Sequence, residues 1–184
     1  MPEDGYGWQK LYTERMCRHF TEELGLETRV VRLHNVYGPH GTWYGGREKA
    51  PAAICRKVAE AKHSGEMTIE IWGDGTQTRS FTYIDDCIFG LHAVMAGDVR
   101  EPLNVGSTES VTIDRLVDLV ERIGGVELER RHAPSARSGV CGRNSDNTQI
   151  RACLGWEPST SLEEGLVATY AWIEGQLVAP MPVA

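Results

Sequence analysis

The chain has 184 residues, of which 41% are hydrophobic and 24% charged, and a formal net charge of -7 from 19 Lys+Arg against 26 Asp+Glu. That length suits one ordinary domain, and an acidic balance without a basic block or an aromatic-basic stripe argues against nucleic acid as a partner. The five cysteines, Cys17, Cys55, Cys87, Cys141 and Cys153, are odd in number and lie far apart, which suggests neither a disulfide framework nor a metal site. No apolar run is long enough to span a bilayer, and Met1-Pro2-Glu3-Asp4 does not read as a signal peptide, so the expectation is a cytoplasmic protein with no membrane partner.

Leu11, Met16, Phe20 and Leu24 recur at helical spacing and predict a helix from Gly5 to Leu24, stopped by Gly25. Glu27 to Leu33 is rich in β-branched residues and reads as a strand running into the Asn35-Val36-Tyr37-Gly38-Pro39 loop, which continues to Gly46. A helix follows from Ala50 to about His63, with Pro51 tolerated in its first turn. Met67 to Trp72 alternates as a strand, Gly73-Asp74-Gly75 reads as a hairpin turn, and Thr78 to Tyr83 is the next strand. Ile84-Asp85-Asp86 opens a helix to about Ala96, its carboxylates suiting the positive helix end. Leu103 to Val105 is a short strand. Thr112 is placed to cap a helix to Ile123. Val126 to Arg130 reads as extended, Asn144 to Leu154 contains a short helix, and Ser161 caps a helix reaching Leu177. Val178 to Ala184, with two prolines, is expected to be a flexible tail. The alternation of strands and helices indicates an α/β fold.

Tyr6 and Lys10 lie one helical turn apart on one face. An ammonium beside a phenol stabilises the phenolate, which suits proton transfer near neutral pH. On their own, two such residues read more readily as an ordinary helix surface. Arg47 with Lys49, and Arg56 with Lys57, form small basic clusters suited to a phosphorylated small molecule.

Tyr6-x-x-x-Lys10, Arg32-x-x-Asn35-x-Tyr37-Gly38-Pro39, Arg79-x-Phe81-x-x-Ile84-Asp85-Asp86, Asn104-x-Gly106 and Leu154-Gly155-Trp156-x-Pro158 occur in this order. The order resembles the C-terminal half of the extended short-chain dehydrogenase/reductase family, the NAD-dependent nucleotide-sugar epimerases and dehydratases. Within it, His34 to Pro39, Gly41-Thr42-Trp43, Gly45 to Ala53, Cys55-Arg56-Lys57, Trp72 to Gly75, Gln77 to Phe81 and Gly142 to Asn147 resemble the branch of GDP-mannose 3,5-epimerases. The resemblance implies roles residue by residue. Tyr6 would take the proton of the sugar 4-hydroxyl while hydride leaves carbon 4 for NAD. Lys10 would support Tyr6 and bind the nicotinamide ribose. Lys49 matches the lysine that works with a cysteine on opposite faces of the sugar at carbons 3 and 5. Asn35, Lys57, Arg79 and Arg143 would hold the sugar and diphosphate, for which an arginine fork is suited. Asp85 and Asp86 are read as helix-start residues. Cys141 stands where the family pattern has arginine.

The implied fold is therefore α/β, the C-terminal part of a Rossmann-type half (residues 1–39) followed by a small α/β substrate-binding domain (40–177), with residues near 84–106 returning to the Rossmann sheet. The glycine-rich strand-turn-helix that receives a dinucleotide pyrophosphate does not precede Tyr6 in this sequence. The implied partners are GDP-mannose or a related nucleotide sugar, and an N-terminal-half chain or a second copy of this one. Two other readings stay open. One is a nucleotide-sugar-binding or interaction module without catalysis. The other is an epimerase or dehydratase of the same family acting on UDP- or dTDP-sugars.

Overall fold

The computed structural model describes residues 2, 4–134 and 142–178. Helix α1 spans Gly5–Leu24. Asp4 caps it by accepting a 2.8 Å hydrogen bond from the Gly7 amide. Gly25 ends it at φ 65, a left-handed backbone that glycine adopts without steric cost. No residue of α1 is buried.

Strand β1, Val31–Leu33, is shorter than the expected run from Glu27. Its parallel partner β6, Leu103–Val105, matches only those residues, Val31 opposite Leu103 and Leu33 opposite Val105. The stretch read as loop after Asn35 holds a short strand, β2 (Val36–Tyr37), paired in parallel with β5 (Thr82–Tyr83). The expected single strand from Thr78 to Tyr83 is two strands in different sheets. β4, Thr78–Ser80, pairs antiparallel with β7 (Ser110–Thr112) and parallel with β9 (Gly142–Arg143), neither of which was expected. After the buried Phe81 the chain passes to β2 as β5.

The Gly73-Asp74-Gly75 stretch is likewise no hairpin turn. β3 (Thr68–Trp72) pairs in parallel with β8 (Glu129–Ala133), so β3 and β4 belong to separate sheets. The backbone of this stretch bonds to other elements, Gly73 donating to the Ala133 carbonyl at 2.8 Å and the Gly75 carbonyl accepting from Asp114 at 3.1 Å. Pairing in β8 begins at Glu129, so the extended stretch expected from Val126 starts and ends later.

The remaining helices are α2 (Ala50–Ser64), α3 (Ile84–Ala96), α4 (Ile113–Gly124), α5 (Thr148–Leu154) and α6 (Leu162–Val178). Thr112 caps α4, its hydroxyl accepting from the Arg115 amide at 3.1 Å. Ser161 and Glu164 form a reciprocal capping box at α6. The Ser161 amide donates to the Glu164 carboxylate at 3.0 Å and the Glu164 amide to the Ser161 hydroxyl at 3.3 Å. Asp86 accepts from the Thr160 amide at 2.8 Å and so fixes the approach to α6. The tail expected to be flexible lies outside the described residues apart from Val178, the last residue of α6, and Cys141 lies outside them too.

Two apolar clusters result. The larger joins α2, α4 and α6 over β3 through Val58, Ile69, Leu116, Val120, Leu166 and Ile173. The smaller is Val94, Leu103, Val105 and Ile150, with Val31, Leu154 and Trp156 against it. Buried Thr82 links the two regions. Its hydroxyl donates to the His34 carbonyl at 2.7 Å and accepts from the Ser107 amide at 3.0 Å. Among the described residues no helix is long and apolar enough to cross a membrane, and no group of three or more His, Cys, Asp or Glu is placed to hold a metal.

Candidate functional site

The expected site residues fall on three stretches of the fold. Tyr6 and Lys10 stand on the first turns of α1, which puts them one above the other as the spacing predicts. The Lys10 ammonium lies over the Tyr6 ring, 5.1 Å from its centroid, and the phenol is 67% exposed.

Asn35, Arg79 and Arg143 gather around β4. Asn35 sits between β1 and β2 at φ 35. Its side-chain amide donates to the Ser80 carbonyl at 3.0 Å, and its own carbonyl accepts from Thr82 at 3.2 Å. The side chain expected to hold sugar thus also holds the β4–β5 junction, with one of its two N–H donors. Arg79 donates to the Thr78 carbonyl at 2.7 Å. Arg79 and Arg143 are register partners on neighbouring parallel strands, and the Arg143 side chain is outside what the structure describes. Further along the same string, Ser145 and Asn147 are spent inside the fold. The Ser145 hydroxyl donates to Asn147 Oδ1 at 2.7 Å, and Asn147 Nδ2 donates to the Gly106 carbonyl at 2.9 Å.

Lys49 and Lys57 belong to α2, which forms one wall of a cavity of about 530 Å³. Ala50 and Ala53 give that wall little bulk, Ile71 closes it from β3, and Tyr44 and Trp72 stand at its sides. Both aromatic rings are well exposed, Tyr44 at 62% and Trp72 at 73%. Lys57 lines the cavity, and its ammonium donates to the Glu70 carbonyl at 2.6 Å. An ammonium has three donors, so others remain for a ligand. Lys49 is the extended N-cap residue of α2, exposed, between Glu48 and Ala50, which both line the cavity.

Arg56, paired with Lys57 in the sequence as a basic cluster, is instead engaged internally. It donates to Glu48 at 2.9 Å and to Glu60 at 2.8 Å, and its guanidinium lies 5.9 Å from the Tyr44 ring centroid. The Glu48 carboxyl is held below the usual carboxylate range, chiefly by its own backbone amide and then by Arg56 acting against burial. Sequence reasoning did not single out Tyr44, Glu48 or Trp72 as walls of a site. Glu48 and Trp72 lie in strings that carry the family resemblance but had no role assigned, and the wall depends on β3 lying beside α2.

The cavity thus offers two aromatic side chains, Tyr44 and Trp72, and the Lys57 ammonium to a ligand. The chain matches the profile of the NAD dependent epimerase/dehydratase family over residues 1–106. It is 49% identical to GDP-mannose 3,5-epimerase 1 of Oryza sativa subsp. indica over 96% of this chain, and 48% identical to GDP-mannose 3,5-epimerase of Arabidopsis thaliana over the same share. It is 30% identical to UDP-glucuronic acid decarboxylase 1 of Xenopus tropicalis, again over 96% of this chain. The chain spans 45% of the length of the rice and Arabidopsis proteins and 40% of the Xenopus one. Among solved structures it resembles UDP-glucose 4-epimerase of Thermotoga maritima with UDP-glucose, at a TM-score of 0.88 and 31% identity, covering 96% of this chain and 55% of that one. It also resembles UDP-glucuronic acid 4-epimerase of Bacillus cereus in complex with UDP-glucuronic acid and NAD, at a TM-score of 0.82 and 29% identity, covering 95% and 54%.

Proposed function

Because the chain belongs to the NAD dependent epimerase/dehydratase family, we propose that it carries the substrate-binding portion and part of the catalytic set of a nucleotide-sugar epimerase of the GDP-mannose 3,5-epimerase kind. The observation that carries this reading is the 49% identity with the rice GDP-mannose 3,5-epimerase along 96% of this chain, against 30% for the decarboxylase. Residues 1–39 complete a cofactor-binding half, residues 40–177 form the substrate domain, and residues near 84–106 return to the first half. The β1–β6 pairing and the packing of Val31 and Val94 with Leu103 support the return of residues near 84–106, and Ile150, Leu154 and Trp156 pack on that side as well.

NAD, implied by the family, supplies a reversible hydride acceptor for carbon 4 of the sugar when bound. Tyr6 and Lys10 fit its nicotinamide end, with Tyr6 in its phenolate form to accept the 4-hydroxyl proton and an ammonium one turn away for the ribose. A 4-keto sugar has acidic protons at carbons 3 and 5. Lys49, exposed at the cavity edge, serves as the acid–base group on one face of the ring. Lys57 binds the diphosphate, Arg79 and Arg143 add to that binding from β4 and β9, and Asn35 shapes the β4–β5 junction beneath them. The partner is GDP-mannose or a related nucleotide sugar, with an N-terminal-half chain or a second copy of this one as the protein partner.

A UDP-sugar reading is favoured by the likeness to the Thermotoga enzyme with UDP-glucose. In a form of the protein that turns over GDP-mannose, Lys49→Ala is expected to abolish solvent proton exchange at carbons 3 and 5 while NADH formation from carbon 4 persists. Exchange at the unmutated rate in Lys49→Ala overturns the assignment of Lys49, and faster turnover of UDP-glucose than of GDP-mannose by the unmutated form overturns the choice of sugar nucleotide.

A further inference from the structure

We infer that Arg56 is a positioning residue, a tether that holds the glycine-rich segment before α2 and thereby sets the place of Lys49. The inference rests on Lys49 being the acid–base group. Gly45 and Gly46 have φ of 97 and 80, with nothing near the place a side chain would take at either. The backbone leading to Lys49 thus has two adjacent pivots. Lys49 itself caps α2 without a side-chain hydrogen bond, so the helix start does not hold it either.

One guanidinium spans those pivots. Arg56, on the rigid body of α2, lies over the Tyr44 ring just before the glycines and donates to Glu48 just after them. Glu60, one turn further along α2, takes a second donor and fixes the fork from behind. Only a planar, multiply donating cation does all three at once, which lysine does not.

The pair is poorly explained as a source of stability. Side-chain exposure is 6% for Glu48 and 16% for Arg56, so both charges are largely taken out of water. Arg56 Nε is buried there with no hydrogen-bond partner among the described residues. A desolvated ion pair gains little over apolar packing, and in some proteins such buried polar pairs serve to fix a particular conformation. In an extended stretch successive side chains point oppositely. Glu48 is drawn inward by Arg56, and Lys49 beside it, extended at φ -77 and ψ 160, is exposed.

Hydrogen exchange read by mass spectrometry on the chain tests the tether. Arg56→Met leaves a buried carboxylate without its cation, so the double variant Glu48→Gln/Arg56→Met, which removes both charges, is made beside it. In both, amides of residues 44–49 are expected to exchange about tenfold faster or more, with protection around Val58 and Ala59 unchanged. The methyl resonance of Lys49, after reductive 13C-methylation, is expected to move toward its random-coil position while that of Lys57 stays. Glu60→Gln, which changes a nearby charge and spares the Glu48 contact, is expected to leave the Lys49 resonance in place. Unchanged exchange over 44–49, a rise spread evenly through α2, or an unmoved Lys49 resonance each overturns the inference. If the segment loosens as stated but Lys49→Ala leaves sugar proton exchange intact, the tether stands and the catalytic reading of Lys49 falls.

Discussion

Asn35 shows how a residue's chemistry is divided between fold and site. Its φ of 35 is a backbone that asparagine tolerates and alanine resists, and its side-chain amide is spent on the Ser80 carbonyl. Asn35→Ala is therefore expected to cost about 2 kcal/mol, about half from the hydrogen bond and half from the backbone. Asn35→Gly recovers the backbone part. Urea unfolding measures both, and a loss of only a few tenths in Asn35→Ala contradicts the role. The cysteines divide by burial. Burial pushes the Cys55 thiol up to about 12, whereas Cys153 is exposed. Thiolate is the reactive species, so iodoacetamide at mildly alkaline pH is expected to label native Cys153 and spare Cys55. Equal labelling of the two in the folded chain contradicts the packing.

At the scale of elements, what was legible in the sequence was whatever is decided locally. Gly25, Thr112 and Ser161 carry their own backbone or capping chemistry, and α1, α4 and α6 begin or end beside them. Thr112→Ala is expected to cost about 1 kcal/mol of stability and Thr112→Ser almost nothing, read from denaturant midpoints. Pairing between distant strands was not legible. Nothing near Phe81 says that β4 and β5 part there, and nothing near Gly73 says that β3 seeks β8 rather than β4. The site was legible in proportion. Lys57 lies at a cavity wall, but Trp72 and Tyr44 become walls only when β3 and the loop meet α2.

The contact between α2 and α6 has a pH signature. Glu174 accepts from Lys62 at 2.9 Å and from the Tyr170 hydroxyl at 3.2 Å, and the Lys62 hydrogen bond is the main cause that holds its carboxyl below the usual range. A carboxyl depressed in the folded state stabilises above its unfolded pKa and loses that contribution as pH falls through the folded value. The difference in urea midpoint between the unmodified chain and Glu174→Gln is expected to be full at neutral pH and to shrink below about pH 4. A difference that grows on acidification contradicts the sign.

The whole molecule presents apolar surface that one chain does not cover. On α1, Trp8, Tyr12, Phe20 and Leu24 recur at multiples of four residues, a stripe that winds around the helix, and all are exposed. On α3, Ile88, Leu91 and Met95 are exposed as well. Burial of each such side chain is worth about 1.5–3 kcal/mol, so the chain by itself is expected to self-associate at micromolar concentration in analytical ultracentrifugation. A monodisperse monomer contradicts this. The same exposure bears on the cofactor. Tyr6 and Lys10 stand on a helix with no buried residue, so the chain alone is expected to bind NAD more weakly than micromolar by calorimetry.

The most direct test of the nucleotide-sugar reading is a titration of the 15N-labelled chain with GDP-mannose and, separately, with UDP-glucose. The signals to follow are the Trp72 indole, identified by its loss in Trp72→Phe, and the amides of residues 44–57. The account predicts saturable shifts confined to those signals, at about tenfold lower concentration for GDP-mannose. Absence of saturable shifts up to millimolar GDP-mannose, or shifts confined to residues away from the cavity, contradicts it.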